Sequence, residues 1–383
     1  MRVLIGYNCG GQNQSLAYKA WGARLRKAGF EVETISLSLA EWAGALPWSD
    51  LDARWRRGEK RLMNLYERLL KAADGYDVFL NYNGVNIHPE FVQRLCATSV
   101  FACFDDPEAS ELLSKPVAGA YDLAMVGNVA EVDTYRNWGV KEVHWWPLGF
   151  RADDYDPHLT KQAIVDNNRD IDVTLLCERT THYRRTRLNK FAARFPHGKY
   201  YGRGWPAGFL PESERVPLLQ RTKIGINIHN STGPVNFRTY YLPANGVLQI
   251  CDNKSHLAKV FEVGKEVVGY GSIDEAIELC AYFLRHDEQR IAIAVAGWER
   301  ATRDYNEVAC FQRLVTILEK RQESAVLRRR QDQVISLQEY RRTTRSRRIA
   351  HRLSLPIAWP LKLAKRIATK LKAVRRFSSL TDN

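Results

Sequence analysis

Residues 224–252 read IGINIHNSTGPVNFRTYYLPANGVLQICD, and the order of their residue types decides the fold class. Ile224-Gly225-Ile226-Asn227-Ile228 is a short β-branched run of the kind that forms a buried parallel strand. Ser231-Thr232-Gly233-Pro234-Val235-Asn236 concentrates turn formers, and Asn236 is placed to cap a helix over about 237–244. Asn245-Gly246 stops that helix, and Val247-Leu248-Gln249-Ile250-Cys251 is a second buried strand. Strand, loop, helix, strand is a parallel α/β unit. It brings a helix N-terminus, with free N–H groups and the positive end of its dipole, beside a strand's carboxyl end, where anions bind. Arg238 falls in the first helical turn, where a cation is slightly unfavourable for the helix itself. It serves either a negatively charged ligand or the solvent.

The 383 residues suffice for two domains, and 45% hydrophobic residues is ordinary for an α/β protein. Seven cysteines, an odd number without a CxxC spacing, argue for reduced thiols in the cytoplasm and against a disulfide framework or a zinc site. Met1-Arg2-Val3-Leu4-Ile5-Gly6 passes directly into a strand, without the long apolar region of a signal peptide. No run approaches the roughly 18 apolar residues of a spanning helix. The net charge of +14 is unevenly placed: residues 321–383 hold 17 Lys and Arg against 4 Asp and Glu, whereas residues 1–320 hold 40 against 39. A neutral body with a basic tail does not fit an enzyme that carries its positive field around a nucleic-acid cleft, so a nucleic-acid-binding protein is the weakest of the readings kept open.

Outward from the deciding stretch, the first half alternates strands and helices in the pattern of a parallel sheet covered on both faces. Strands are expected at 3–7, 32–36, 78–81, 100–104, 123–126 and 143–146, with a helix over 15–28 and a mostly helical segment over 42–77. The first loop lacks the full GxGxxG spacing, so Gly10 and Gly11 indicate only a loop that passes close to a ligand. Asp105, in Phe104-Asp105-Asp106-Pro107-Glu108, could serve a metal or acid–base chemistry, or else cap the next helix. His88 also follows a strand end and is either a site residue or polar surface. Residues 151–170 are polar and read as a hinge, and a second alternating series begins at Asp172. Arg184, Arg203 and Arg238 then sit in three loops at corresponding ends of parallel strands, a constellation that suggests a diphosphate site.

The order of motifs along the chain carries a resemblance. Phe104-Asp105-Asp106-Pro107-Glu108, Tyr121-Asp122-Leu123, Tyr135 and Gly139, Trp146-Pro147-Leu148-Gly149, and Asn236-Phe237-Arg238-Thr239 leading to Pro243-Ala244-Asn245-Gly246 resemble the CgeB-like, group 1 type glycosyltransferases over residues 1–320. The resemblance implies a GT-B fold: a Rossmann-like acceptor domain over 1–150, the hinge over 151–170, and a Rossmann-like nucleotide-sugar domain over 171–320, facing each other across a cleft. It implies a transferase of surface-glycan synthesis that needs no metal or other cofactor, retains anomeric configuration, and takes a glycan, lipid-linked or protein acceptor. Arg238, Arg184, His88 and Asp105 are the catalytic candidates. Gly233, Pro234, Asn236, Phe237, Thr239, Tyr241, Arg203, Gly10 and Gly11 are the donor-binding candidates. One departure stands out, because the position where the family carries a ribose-holding glutamate is Tyr241. A phenol offers no bidentate carboxylate, which leaves a catalytically silent nucleotide-sugar-binding protein as the second reading.

Beyond residue 320, Arg328-Arg329-Arg330, Arg341-Arg342 and Arg345 to Arg348 supply basic clusters. Leu361, Ala364, Ala368, Leu371 and Val374 recur at helical spacing beside lysines and arginines, after Trp359 between two prolines. This composition predicts an appendage that lies against an anionic membrane on the cytoplasmic side, with disorder or RNA binding as the alternative.

Overall fold

The computed structural model describes residues 1–9, 12–39, 46–83, 86–166, 168–229, 236–252, 256–323 and 334–354. Its strands are β1 (Arg2–Tyr7), β2 (Glu31–Ser36), β3 (Val78–Tyr82), β4 (Thr98–Cys103), β5 (Leu123–Val126), β6 (Val143–Trp145), β7 (Ile171–Leu176), β8 (Lys199–Tyr201), β9 (Thr222–Asn227), β10 (Leu248–Asp252) and β11 (Val268–Tyr270). Its helices are α1 (Gln12–Lys27), α2 (Trp48–Arg56), α3 (Lys60–Ala73), α4 (Pro89–Val92), α5 (Val132–Asn137), α6 (Lys161–Val165), α7 (His182–Arg194), α8 (Glu212–Gln220), α9 (Arg238–Ala244), α10 (Ile273–Phe283), α11 (Asp287–Asp304), α12 (Glu307–Glu323) and α13 (Leu337–Ser354).

The strands form two parallel sheets, ordered β2-β1-β3-β4-β5-β6 and β11-β10-β9-β7-β8. The near-continuous apolar runs of the central strands follow from burial on both faces. In the first sheet the alternation is explicit: Leu4, Phe79 and Phe101 face α3, whereas Val3, Ile5, Leu80 and Val100 face Trp21 and Leu25 of α1. In the second, Ile224, Ile226 and Ile250 pack on one side with Leu188 and Phe191 of α7, and α9 packs on the other. Gly225 permits that second contact, since a Cβ there would stand 2.7 Å from Leu242. Gly149 does the same where the chain leaves the first domain: its φ is +65°, and a Cβ would meet the Tyr305 carbonyl at 2.5 Å.

The expected strands are all present, and β11, only three residues long, adds to them. The segment expected to be mostly helical divides into α2 and α3, because Gly58 takes φ +61° and Glu59 caps α3 through the Arg61 and Leu62 amides. Two expected boundaries need correction. Phe311, Leu314, Val315 and Leu318 of α12 fill the face of the first sheet beside Trp21, so this helix returns from the second domain to the first. Nor is the stretch after 320 wholly an appendage. Ile335 and Tyr340 belong to the core of the first domain, and the Tyr340 hydroxyl donates to the Met63 carbonyl at 2.9 Å. Helical periodicity shows that a helix has an apolar stripe and does not show which sheet receives it. The amphipathic stretch around Trp359 and the cluster at Arg328 lie outside the described residues.

Tyr340→Ala should therefore behave as a core truncation, costing about 3 to 5 kcal/mol. That corresponds to a fall of roughly 6 °C or more in the melting midpoint by circular dichroism. An unchanged midpoint would show that α13 adds nothing to the core.

Candidate functional site

In an open α/β sheet the crevice forms where the strand order reverses, outside the strands' carboxyl ends. In the second sheet the reversal lies between β7 and β9, and the two arginines that the sequence singles out beside these strands meet there. Arg238, at the start of α9, donates from Nη1 to the Leu176 carbonyl at 3.0 Å and from Nη2 to the Ile228 carbonyl at 3.4 Å, while its Nε bonds Asn227 Oδ1 at 3.1 Å. Arg184, in the first turn of α7, reaches the same Ile228 carbonyl from Nη2 at 3.1 Å. Its Nε is buried with no hydrogen-bond partner among the described residues. Burial lowers the Arg184 pKa, and the neighbouring Arg238 pushes in the same direction. Guanidinium groups keep their proton regardless, so the site holds two converging positive charges. Among the described residues neither forms an ion pair with a carboxylate.

A buried polar network fixes Arg238. Asn227 Oδ1 also accepts from Asn236 Nδ2 at 3.0 Å, and Asn227 Nδ2 lies 3.1 Å from both Thr239 Oγ1 and Gln249 Oε1. Asn236 Oδ1 accepts the Thr239 amide at 3.1 Å, so its side chain caps the helix start as the sequence suggests. Beside it His229, 3% exposed, holds Asp252 Oδ1 through Nδ1 at 2.5 Å. The Asp252 carboxylate also accepts the His229 amide at 2.9 Å, and His229 Nε2 faces Thr239 Oγ1 at 3.3 Å. His229 and Asp252 lie with Cys251 within 4.8 Å of one another, a donor set that could hold a metal ion. The short imidazole–carboxylate bond already satisfies both groups.

Next to the arginines an open pocket is lined by Tyr183, Arg187, Ile228, Asp252, Tyr270 and the chain at Gly271-Ser272-Ile273. Its aromatic walls offer flat apolar faces to a ligand. Across the domain junction Arg151 sits over the rings of Tyr18, at 5.2 Å, and Phe237, at 5.6 Å, so the hinge touches both domains at the cleft. The Arg24 guanidinium clasps Glu307 at 2.5 and 3.0 Å on the same seam.

Other expected site residues are placed differently. Arg203 is exposed on a glycine-flanked turn, 4.0 Å from Glu178, and does not join Arg184 and Arg238. His88 is 3% exposed and stacked between Trp48 and Trp55. Its Nδ1 accepts the Glu90 amide at 3.2 Å and its Nε2 meets Asp52 at 3.3 Å, so it caps α4 with both nitrogens engaged. Asp105 is exposed and accepts from Asn83 Nδ2 at 2.8 Å, and among the described residues it neither caps a helix with its side chain nor joins a metal-ligating group. Its neighbour Asp106 is the buried carboxylate, bonded by the Tyr135 hydroxyl at 2.5 Å. Tyr241 is 5% exposed and packs with Phe150, Leu219 and Val247 rather than on the pocket wall. Burial raises its pKa to about 12. Phe237, partly buried, reaches the hinge, while Gly10, Gly11, Gly233 and Pro234 lie outside the described residues. Sequence reasoning missed Asn227, His229, Gln249 and Asp252. Their signal was polarity inside or at the end of buried, mostly apolar strands.

A family described as glycosyl transferase-like matches residues 179–319, which span both arginines and the network. A comparison with curated proteins finds no match. Among solved structures, Anabaena Alr3699/HepE in complex with UDP and glucose has 13% identity and a TM-score of 0.54, with 83% of this chain and 99% of that one covered. Sucrose-phosphate synthase from Thermosynechococcus elongatus has 11% identity and a TM-score of 0.57, covering 85% and 100%. A Listeria monocytogenes structure assigned as a UDP-N-acetylglucosamine 2-epimerase has 11% identity and a TM-score of 0.54, covering 85% and 98%. The fold is GT-B. Transferase and epimerase assignments both occur on it, so the fold alone does not choose the reaction.

The His229–Asp252 pair makes a prediction about stability. In the folded protein burial holds His229 neutral, with a pKa below its ordinary 6.5. Burial outweighs the hydrogen bond and charge of Asp252, which pull the other way, and Arg238 and Arg184 add a smaller push downward, while Cys251 lies alongside as a buried thiol. The unfolded chain takes up a proton near pH 6.5 and so binds more protons than the fold below that pH. Stability is therefore complete above about pH 6.5 and is lost as the pH falls through it. His88 shifts in the same direction. The melting midpoint should fall between neutral and mildly acidic buffer, and by less in His229→Gln than in the natural protein. Equal falls in the two would remove His229 from this linkage.

Proposed function

We propose that this protein is a glycosyltransferase that moves a sugar from a nucleotide diphosphate to a hydroxyl acceptor, with retention of anomeric configuration and without a dedicated metal. The observation that carries this reading is the convergence of Arg184 and Arg238 on the Ile228 carbonyl, with neither ion-paired to a carboxylate among the described residues. Two rigidly held cations beside an open, aromatic-walled pocket are arranged for a dianionic group. When the bond between sugar and phosphate breaks, negative charge grows on the diphosphate. Donors already fixed there then stabilise the transition state more than the ground state. The two guanidinium groups supply the charge a metal ion would otherwise bring. The base and ribose would occupy the pocket between Tyr183 and Tyr270, and the acceptor hydroxyl would enter from the first domain past Tyr18 and Asp105. The match over residues 179–319 favours transfer over epimerisation. HepE crystallised with UDP and glucose, which makes a UDP-hexose the first donor class to try.

A thermal-shift panel of UDP-, GDP-, dTDP- and CMP-sugars tests binding, since a ligand at about 100 times its Kd stabilises by roughly 2.7 kcal/mol. Nucleotide release with acceptor extracts tests transfer. Binding without release in any of them would favour the silent binding protein that Tyr241 leaves open. Arg238→Ala removes a charge-assisted bond worth about 1.5 to 3 kcal/mol and should slow turnover roughly ten- to a hundredfold. Arg184→Ala should do the same. Unchanged turnover in both variants, at normal melting midpoints, would refute the diphosphate site.

A further inference from the structure

The helix α13 has two faces of different character. Its inner face is part of the first domain: Tyr340 bonds Met63, Arg348 Nε donates to the Gly58 carbonyl at 2.8 Å, and the Arg347 guanidinium lies 3.9 Å from the Trp55 ring centroid. The charges on its edges are matched within the protein, Arg341 with Glu67 at 2.7 Å and Arg347 with Glu90 at 2.9 Å. The outer face is not matched. Arg342, Arg345, Ile349, Arg352 and Leu353 recur at intervals of three and four and so share one stripe. Among the described residues none of these three arginines pairs with a carboxylate. Ile349 is 49% exposed and Leu353 is 81% exposed, directly among them.

We infer that this outer face of α13 is the surface by which the protein lies on an anionic lipid bilayer. Three observations select that occupant. The three arginines, without a carboxylate partner among the described residues, attract negative charge from outside the molecule, and two such stripes meeting face to face would repel each other. The projecting isoleucine and leucine have no use in a phosphate-reading surface, but they suit the boundary of headgroups and acyl chains, where basic residues flank apolar ones. The chain after Ser354 keeps the same character for 29 residues, with seven Lys and Arg against a single Asp. Because α13 is anchored to α3 by buried contacts, binding here would fix the orientation of the whole first domain. A tail acting alone would merely tether it. The inference does not depend on the transferase reading.

The test uses the full chain at low salt, where exposed charges are least screened. Sedimentation is followed with vesicles of phosphatidylglycerol and phosphatidylcholine in equal parts and with vesicles of phosphatidylcholine alone. The natural protein should bind the first far more tightly than the second. Each basic residue at such a surface is worth about 1 kcal/mol, so the triple variant Arg342→Gln, Arg345→Gln, Arg352→Gln should bind on the order of 100-fold more weakly, at an unchanged melting midpoint. If the triple variant folds poorly, Leu353→Glu, which alters one exposed side chain, should weaken binding in the same direction. The inference is overturned if the natural protein does not bind anionic vesicles or binds neutral ones equally. It is also overturned if the folded variants bind as tightly as the parent, or if duplex RNA competes the protein off anionic vesicles at equal phosphate concentration.

Discussion

One carbonyl oxygen at the end of a central strand carries the organisation of the second domain. The Ile228 carbonyl accepts from Arg184, in the first turn of α7 after β7, and from Arg238, the first residue of α9 after β9. Two like charges drawn to one acceptor repel each other, and burial raises the cost of each. They persist there because the surrounding backbone determines their position. Leu176, the last residue of β7, and Ile228, just past β9, present their carbonyls to the guanidinium groups, and Asn227 turns its amide oxygen toward Arg238. The sheet order places these strand ends next to each other, so the charge pair results from topology as much as from side-chain choice.

Much of this was legible in the residues, and the parts that were not share a reason. A strand buried on both faces must be apolar throughout, which is why β1, β3, β7, β9 and β10 can be found from composition alone. The same rule hid Asn227 and Gln249, since one amide in a run of isoleucine or leucine hardly changes the local pattern. These two are 0% and 1% exposed and bonded to each other across β9 and β10, so they form a designed polar contact. Arg203 failed in the opposite sense. Residue type placed it at the right end of the right sheet, but the Gly202-Arg203-Gly204 turn directs it outward, and Arg179 instead ties that turn to the loop after β7, with its guanidinium over Trp205 at 4.4 Å. His88 shows that a histidine beside a strand end can be wholly structural when two tryptophans supply an apolar sandwich and an amide and a carboxylate take its nitrogens.

The domains are also less separate than their alternating series implies. The apolar stripe of α12 covers the first sheet, and the Trp146 indole donates to the Cys310 carbonyl at 2.7 Å. The second domain's last helix thus completes the first domain's core. Hinge motion in such a molecule cannot be a simple separation at residues 151–170, because a second connection, from Tyr305 to Glu307, crosses the same seam. The isolated bridge between Phe150 and Asn306 pairs the two crossings. Two crossing strands held side by side restrict relative movement to rotation about their common line.

That restriction bears on Tyr241, where the family resemblance leads to the expectation of a glutamate. Its ring turns into the cluster around Phe150, at the foot of the hinge, and Arg215 lies over it at 5.6 Å. Arg215 is in turn ion-paired with Asp154, in the segment that leaves the first domain. Asn245, at the end of α9, donates to the Asp154 carbonyl at 2.8 Å. A glutamate at 241 would compete with Asp154 for Arg215. The phenol leaves that pair intact, so α9 touches the hinge through Tyr241, Arg215 and Asp154 while its first residue, Arg238, lies in the crevice at the other end of the same seven-residue helix. A shift of α9 would therefore move Arg238 and the hinge contacts together.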